Sequence, residues 1–315
     1  MPHLQKAHKQ LVFKWNEGKF SEHKLVSHLL PSYSRYFEPF AGNLQFFSGL
    51  DPQTPVFLND TDKGLINFYK NIGEKSFVTE LKWTSQAWDL LDKFYSLIRS
   101  EIFMVLEDFQ NSIISKSDLQ YVVRVIILMN TNNPAFNKLF AQKHIVNFDA
   151  ITGLLLKNTL DKLQKIKAAS SKGSELSRDE ADNLILTSIK SSFYTHFVDL
   201  LNQPVKNNLS PEKIAAIWFM IHELGHGNEF RPAESKQYEI SYGGSPYNHK
   251  NLVEKAELLS SPEVVGLFKR ANFSCLDFEE FLAAAELKPS DFVLINLPLR
   301  KGLYNPNNVQ FSGDV

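Results

Sequence analysis

Apolar and polar positions along this chain follow two different periods. From Tyr36 to Ile72 the order is YFEPF, a glycine turn, a short helix, PVFLND, and then GLINFYKNI, whose Leu65, Ile66, Tyr69 and Ile72 fall at helical spacing. Strands alternating with helices in this way predict a parallel α/β sheet. The pattern returns near the far end, where FSCLD precedes the helix FEEFLAAAEL and then the apolar run DFVLINLP. That run reads as a buried strand leading into a loop.

The about 200 residues in between have a helical period. Trp88, Leu91, Tyr95, Ile98, Ile102, Val105 and Phe109 recur at three and four, one face of a long amphipathic helix. A second helix opens at Ser177 with Glu180 in capping-box spacing, and a third at Ser210 with Pro211 in its first turn. The polar stretch AASSKGSE (168–175) predicts a linker between helices, and no internal repeat is visible. The expected architecture is an α/β sheet domain, residues 1–75 and 265–315, split in sequence by a helical insertion, residues 76–264.

Composition adds limits. Hydrophobic residues at 43% and charged residues at 22% are ordinary for a soluble globular chain. A net charge of −1 leaves no global footprint for nucleic acid, so any such footprint is local. Residues 116–172 supply one: nine Lys or Arg against three acids, a net of +6. Such a segment can follow a phosphate backbone or simply line the solvated faces of helices. The single cysteine, Cys275, excludes an internal disulfide and fits a reducing compartment. The N-terminal MPHLQKAHKQLVFKW lacks an apolar signal core, and no run approaches the roughly 18 apolar residues of a membrane span. A cytoplasmic protein without a membrane partner is expected.

Open parallel sheets bind ligands at the carboxyl ends of their strands. Here those ends read EPFAGN, LNDTD, CLDF and INLPL. An acid after the second strand suits the two hydroxyls of a ribose, and an acid or amide after a later strand can read an adenine amine. A separate motif lies in the middle. HELGH (222–226) puts two histidines one turn apart with Glu223 as a base, the pattern of a zinc metalloprotease. The extended form of that motif needs Gly and His where this chain has Glu229 and Pro232, leaving Glu254 or Glu257 as remote third ligands.

Taken together, the strand-end motifs resemble the Dam-type DNA adenine methyltransferases. The family's KWxGGK is matched by KWNEGK (14–19), its EPFxGxGAxFF by EPFAGNLQFF (38–47), and its LNDxNxxLINxY by LNDTDKGLINFY (58–69). Its late DF-acid motif is matched by DFEEF (277–281), and its catalytic DPPY falls on NLPL (296–299). The resemblance implies a Rossmann-like methyltransferase sheet with a target-recognition-like insertion, S-adenosylmethionine as cofactor and DNA as partner. It places Lys14, Trp15 and Lys19 against the methionine end of the cofactor. Glu38, Phe40 and Gly42 form its loop, Asp60 takes the ribose, and Asp277 with Phe278 the adenine. Trp218–Gly243 follows the family's target-reading hairpin without a gap, and QYEISY alternates as a strand should. In that register HELGH is no metal motif, and Arg231 stands in the target-reading position beside the DNA candidates Lys162, Lys165 and Lys167.

The departures from the family are chemical. GNLQ replaces a glycine run and is one residue shorter, and Glu17 adds a negative charge where a Gly is expected. In NLPL, Asn296 and the carbonyl of Leu297 can still accept from an adenine amine. Leu297 loosens the turn before Pro298, and Leu299 offers no π-face to a flipped base, a contact worth roughly 1–3 kcal/mol. The expectation is a degenerate member of the family, impaired in catalysis, binding DNA and S-adenosylmethionine, with a protein partner completing its sheet. An active methyltransferase that tolerates NLPL and a zinc metalloprotease are the alternatives.

Overall fold

The computed structural model describes residues 31–44, 46–174, 176–226 and 237–296. In chain order, β1 (Arg35–Glu38) and β2 (Val56–Asn59) are followed by α1 (Lys63–Asn71), α2 (Lys75–Gln110) and α3 (Lys116–Thr131). Next come α4 (Gln142–Ile145), α5 (Phe148–Ser171), α6 (Arg178–Asn202) and α7 (Pro211–Leu224). The chain then runs through α8 (Leu252–Leu259), α9 (Pro262–Lys269), β3 (Ala271–Ser274), α10 (Phe278–Ala284) and β4 (Asp291–Val293). It divides into two compact units, one up to Lys70 and again from Pro262, the other Asn71–Ser261.

In the first unit four parallel strands stand in the order β3-β2-β1-β4. The fold is mixed α/β, as the alternating pattern predicts. Central strands of a parallel sheet are covered on both faces, which is why β1 and β2 are largely buried, with Tyr36, Phe37, Val56 and Leu58 in the core. Phe37 stacks on Phe57 at 4.7 Å and meets Phe281 of α10, while Tyr69 of α1 packs on Phe268 and Phe273. Strand β4 is shorter and less buried than DFVLINLP suggests. Only Asp291–Val293 are in the ladder, and Ile295 is 58% exposed. Among the described residues β4 is paired along one edge only. It is held to β1 by Arg35, whose Nε and Nη2 reach the Asp291 carboxylate at 2.9 and 2.5 Å. The Arg35 hydrogen bonds lower that carboxyl to about 2.

The second unit is helical. All seven apolar positions read from Trp88 to Phe109 are buried along α2. The predicted caps are present: Ser177 and Glu180 form a reciprocal box on α6, and Ser210 caps α7 with Pro211 in its first turn. A further box, Ser115 with Asp118, opens α3. The predicted linker is corrected at its start, because residues 168–171 complete α5 and the helix stops only at Lys172. Small residues followed by Ser carry no helix stop of their own; Gly173, in the left-handed region at φ 78°, supplies it.

A buried lysine joins this unit's parts. Lys190 of α6 has no exposed surface. Its ammonium reaches Asp92 Oδ2 at 2.9 Å and the carbonyls of Trp88 and Asn248 at 3.1 and 2.5 Å, over the Trp88 ring. Burial lowers its pKa, and the Asp92 hydrogen bond opposes that. Asn248 passes the connection on, donating to Asn183 and Thr187 and accepting from Tyr242. Replacing Lys190 with Met leaves Asp92 without its cation and two carbonyls without a donor. Urea unfolding of Lys190→Met is expected to show a loss of about 3 kcal/mol; a loss below about 1 kcal/mol would show that the pair contributes as little as a surface one.

Candidate active site

Because the strands are parallel, their carboxyl ends share one edge of the sheet. The chain leaves β1 toward β2 and β3 on one side and returns to β4 on the other, so the switch point lies outside the ends of β1 and β4. Glu38, the last residue of β1, is buried and accepts from Tyr36 Oη at 3.0 Å. Burial pushes its carboxyl up to about 8; the Tyr36 hydrogen bond works against this rise and the charge of Asp60 adds to it.

The loop after β1 is pinned from several sides. Ala41 N–H donates to the carbonyl of Asn59 at 2.8 Å, Gly42 N–H donates to Asp60 Oδ2 at 3.0 Å, and Tyr69 Oη donates to the Gly42 carbonyl at 2.5 Å. Gly42 and Leu44 both lie in the left-handed region, at φ 46° and 57°. A leucine there costs roughly 1–2 kcal/mol that glycine would not. In the GNLQ run Leu44 thus keeps left-handed geometry without the glycine suited to it. Asn43 Nδ2 is buried and has no acceptor among the described residues.

Asp60 stands at the end of β2 as expected, with both oxygens partly occupied: Oδ2 by Gly42 N–H and Oδ1 by Asp62 N–H at 3.0 Å. Each oxygen retains a further lone pair for a hydroxyl donor. The residue that sequence reasoning passes over is Asn59. Its Nδ2 donates to the carbonyls of Pro39 and Leu276 at 3.1 and 3.0 Å, and its Oδ1 accepts from Leu276 N–H at 2.9 Å. One buried amide therefore joins the loops after β1, β2 and β3. An amide at the end of an otherwise apolar strand was the available signal, and the acid beside it took the attention.

Asp277 caps α10, accepting from Glu279 N–H at 2.9 Å, and is exposed. Phe278 follows it, 39% exposed, with its ring 5.5 Å from that of Phe40. Two aromatic rings from the loops after β1 and β3 thus stand at the same edge, one of them open to solvent. Asn296 is exposed beyond β4, where Leu294 N–H still donates to the Phe37 carbonyl at 2.9 Å. Lys14, Trp15, Lys19, Arg231, Leu297, Pro298 and Leu299 lie outside the described residues.

The lysines of α5 are not equivalent. Lys165 is exposed, and Lys162 is half-buried, with burial and then Lys165 lowering its pKa. Lys167 instead donates to the Phe109 carbonyl and to Ser112 Oγ, with its ammonium 4.1 Å from the Phe109 ring centroid. Its charge serves the carboxyl end of α2.

The metalloprotease geometry does not form. Helix α7 stops at Leu224, and the backbone of Gly225 is extended, so His226 lies beyond the helix and shares no face with His222. A Cβ on Gly225 would lie 2.6 Å from Ile240 Cγ2 and 2.9 Å from the Ile221 carbonyl, so this close approach calls for glycine. His222 is buried against the Trp218 ring at 3.5 Å, and burial holds its pKa well below the usual range. Glu223 is held by Lys255 at 2.5 Å and by Lys250. No cluster of three metal-ligating side chains occurs among the described residues.

The expected QYEISY strand is also corrected. Residues 238–241 belong to no ladder, and Tyr242 makes one isolated antiparallel bridge with Gly225. Among the described residues the backbone of this stretch is met by His226 N–H at the Ser241 carbonyl and by Asn202, which accepts from Tyr238 N–H at 2.7 Å and donates to its carbonyl at 3.1 Å.

An all-parallel sheet with acids, amides and aromatic rings at its carboxyl edge defines a Rossmann-like domain of the methyltransferase kind. The sequence matches the D12 class N6 adenine-specific DNA methyltransferase family over residues 15–194, more than half of the chain. The chain belongs to that family, which depends on S-adenosylmethionine. No helix among the described residues is long and apolar enough to cross a membrane.

The raised Glu38 carboxyl has a sign that can be checked. Between the ordinary glutamate range, about 4.3, and about 8 the native state holds a proton that the unfolded chain has lost. Stability therefore falls as pH rises through that window. Glu38→Gln keeps an acceptor for Tyr36 and removes the proton. Thermal melts from pH 5 to pH 8 are expected to show the variant gaining on the native protein as pH rises; parallel profiles would contradict it.

Proposed function

We propose that this chain binds S-adenosylmethionine at the carboxyl edge of its sheet, engages DNA through its helical unit, and is impaired in methyl transfer. The observation that supports it is the meeting of the EPFAGN, LND and DFEEF residues at one edge, with NLPL beginning at the end of β4. Phe40 and Phe278 are suited to a flat heterocycle such as adenine, since one ring is exposed and the other backs it. Asp60 keeps lone pairs for ribose hydroxyls, and Glu38, once ionised, is a partner for the cofactor's ammonium. Lys14, Trp15 and Lys19 belong to the methionine end. The cofactor supplies an activated methyl on a sulfonium centre.

The residues for the second half of the reaction are fewer. Asn296 and the Leu297 carbonyl are acceptors for an adenine amine, and acceptance by both turns the nitrogen lone pair toward the methyl donor. Pro298 stiffens the loop, but Leu299 leaves an extruded base without an aromatic partner. Positioning accelerates transfer only when both reactants are held in near-attack geometry. The negative charge of Glu17 weakens the cofactor's hold in the same direction.

DNA falls to the basic segment. Lys157, Lys165 and Lys172 are exposed at helical spacing along α5 and its end. Arg231 belongs to the target-reading stretch.

Methyl transfer and DNA binding are tested separately. With tritiated S-adenosylmethionine and adenine-containing duplex DNA, incorporation is expected to stay near background; stoichiometric labelling would support the active alternative instead. Converting Lys157, Lys165 and Lys172 together to Gln is expected to weaken duplex binding and lessen the slope of log affinity against log salt by about 2–3. An unchanged slope in fluorescence anisotropy would remove α5 from the interface.

A further inference from the structure

We infer that Asn43 is a ligand-binding residue whose side-chain amide donates to an oxygen of the cofactor's ribose and amino-acid half. This rests on the cofactor reading above and assigns a role to a position in the shortened loop. The loop's backbone is held by Asn59, Asp60 and Tyr69, so it cannot swing its side chains freely. Gly42 and Leu44, on either side, both have left-handed backbone. Strain of this kind, kept by surrounding hydrogen bonds, concentrates where a chain must present a group to a ligand.

The donor itself is the second observation. Asn43 Nδ2 is buried, yet finds no acceptor among the described residues. The acceptors of this edge are engaged by other donors, and none of their remaining lone pairs is met by Asn43 Nδ2. Asp60 takes Gly42 and Asp62 N–H groups, Asn59 Oδ1 takes Leu276 N–H, and Glu38 takes Tyr36 Oη. Buried polar groups are otherwise nearly always satisfied, and an orphan at a strand's carboxyl end beside a topological switch point marks a place for a ligand's acceptor. An amide N–H fits a hydroxyl, a ring oxygen or a carboxylate. The cofactor's ribose and methionine end carry all three, while the flat Phe40–Phe278 pair suits the adenine.

Calorimetry with S-adenosylhomocysteine tests this on the full chain, using Asn43→Ala and the near-isosteric Asn43→Asp, which puts an acceptor where the donor was. The native chain is expected to bind, and Asn43→Asp to lose at least about tenfold in affinity. The melting temperature of ligand-free Asn43→Ala is expected to equal or exceed the native value, because an unsatisfied donor has been removed. 5′-Methylthioadenosine, which has the ribose but no carboxylate, separates the two acceptors. If the Asn43→Asp defect persists with it, the ribose is the partner; if the defect disappears, the carboxylate is. Native binding with an unchanged Asn43→Asp affinity would overturn the inference alone, as would a clear fall in melting temperature for Asn43→Ala, which marks a structural role. No binding by the native chain would overturn the cofactor reading and the inference together.

Discussion

The sheet edge depends on the side chain of Asn59. Parallel strands end side by side, and the loops that leave them carry backbone groups that no ladder can satisfy. Asn59 answers this with one amide, which bonds the loop after β1 through Pro39 and the loop after β3 through Leu276. Its own carbonyl accepts from Ala41. It adds to the direct bonds between these loops, Gly42 N–H to Asp60 and Asp60 N–H to the Ser274 carbonyl, a single group that touches all three. With it they form one surface, and the positions of ring, acid and glycine become properties of the sheet.

The same edge explains why the site holds strain and charge together. Glu38 is buried at the end of β1, close enough to Asp60 for that charge to raise its pKa. Leu44 keeps a backbone conformation better suited to glycine. Both are features that folding alone would not favour, and both fall where a bound cation and a close-lying ligand would offset them. The end of β4 differs. Its strand is short, one edge is unpaired among the described residues, and its last described residues face solvent. On the proposed account the half of the site that holds the cofactor is built into the sheet, while the half that orients the base has lost chemistry.

Much of this was legible in the sequence because periodicity reports burial. Two apolar strands ending in Glu38 and Asn59, the face from Trp88 to Phe109, and the caps at Ser177 and Ser210 follow from local rules. Residues 168–171 looked like a loop because small polar residues suit the last turn of a helix and the start of a loop equally well. QYEISY alternated like a strand, yet Asn202 of α6 satisfies its backbone at Tyr238, a long-range contact that no local pattern encodes. HELGH offers a metal site only if its spacing lies on one helix face, and the extended Gly225 breaks that face. Lys167 counted as a surface charge until the carbonyl of Phe109 claimed it. Left-handed Leu44 was hidden for a different reason: sequence reveals a missing glycine but not whether the backbone has kept glycine's conformation.

The central claim is that the nucleoside cofactor lies on the carboxyl edge organised by Asn59. Amide hydrogen exchange read by mass spectrometry, with and without S-adenosylhomocysteine, tests it directly. The account predicts slowed exchange in peptides covering residues 37–44, 57–62 and 274–280, with little change along α5 and α6. Protection confined to the helical unit, or none at saturating ligand, would contradict it.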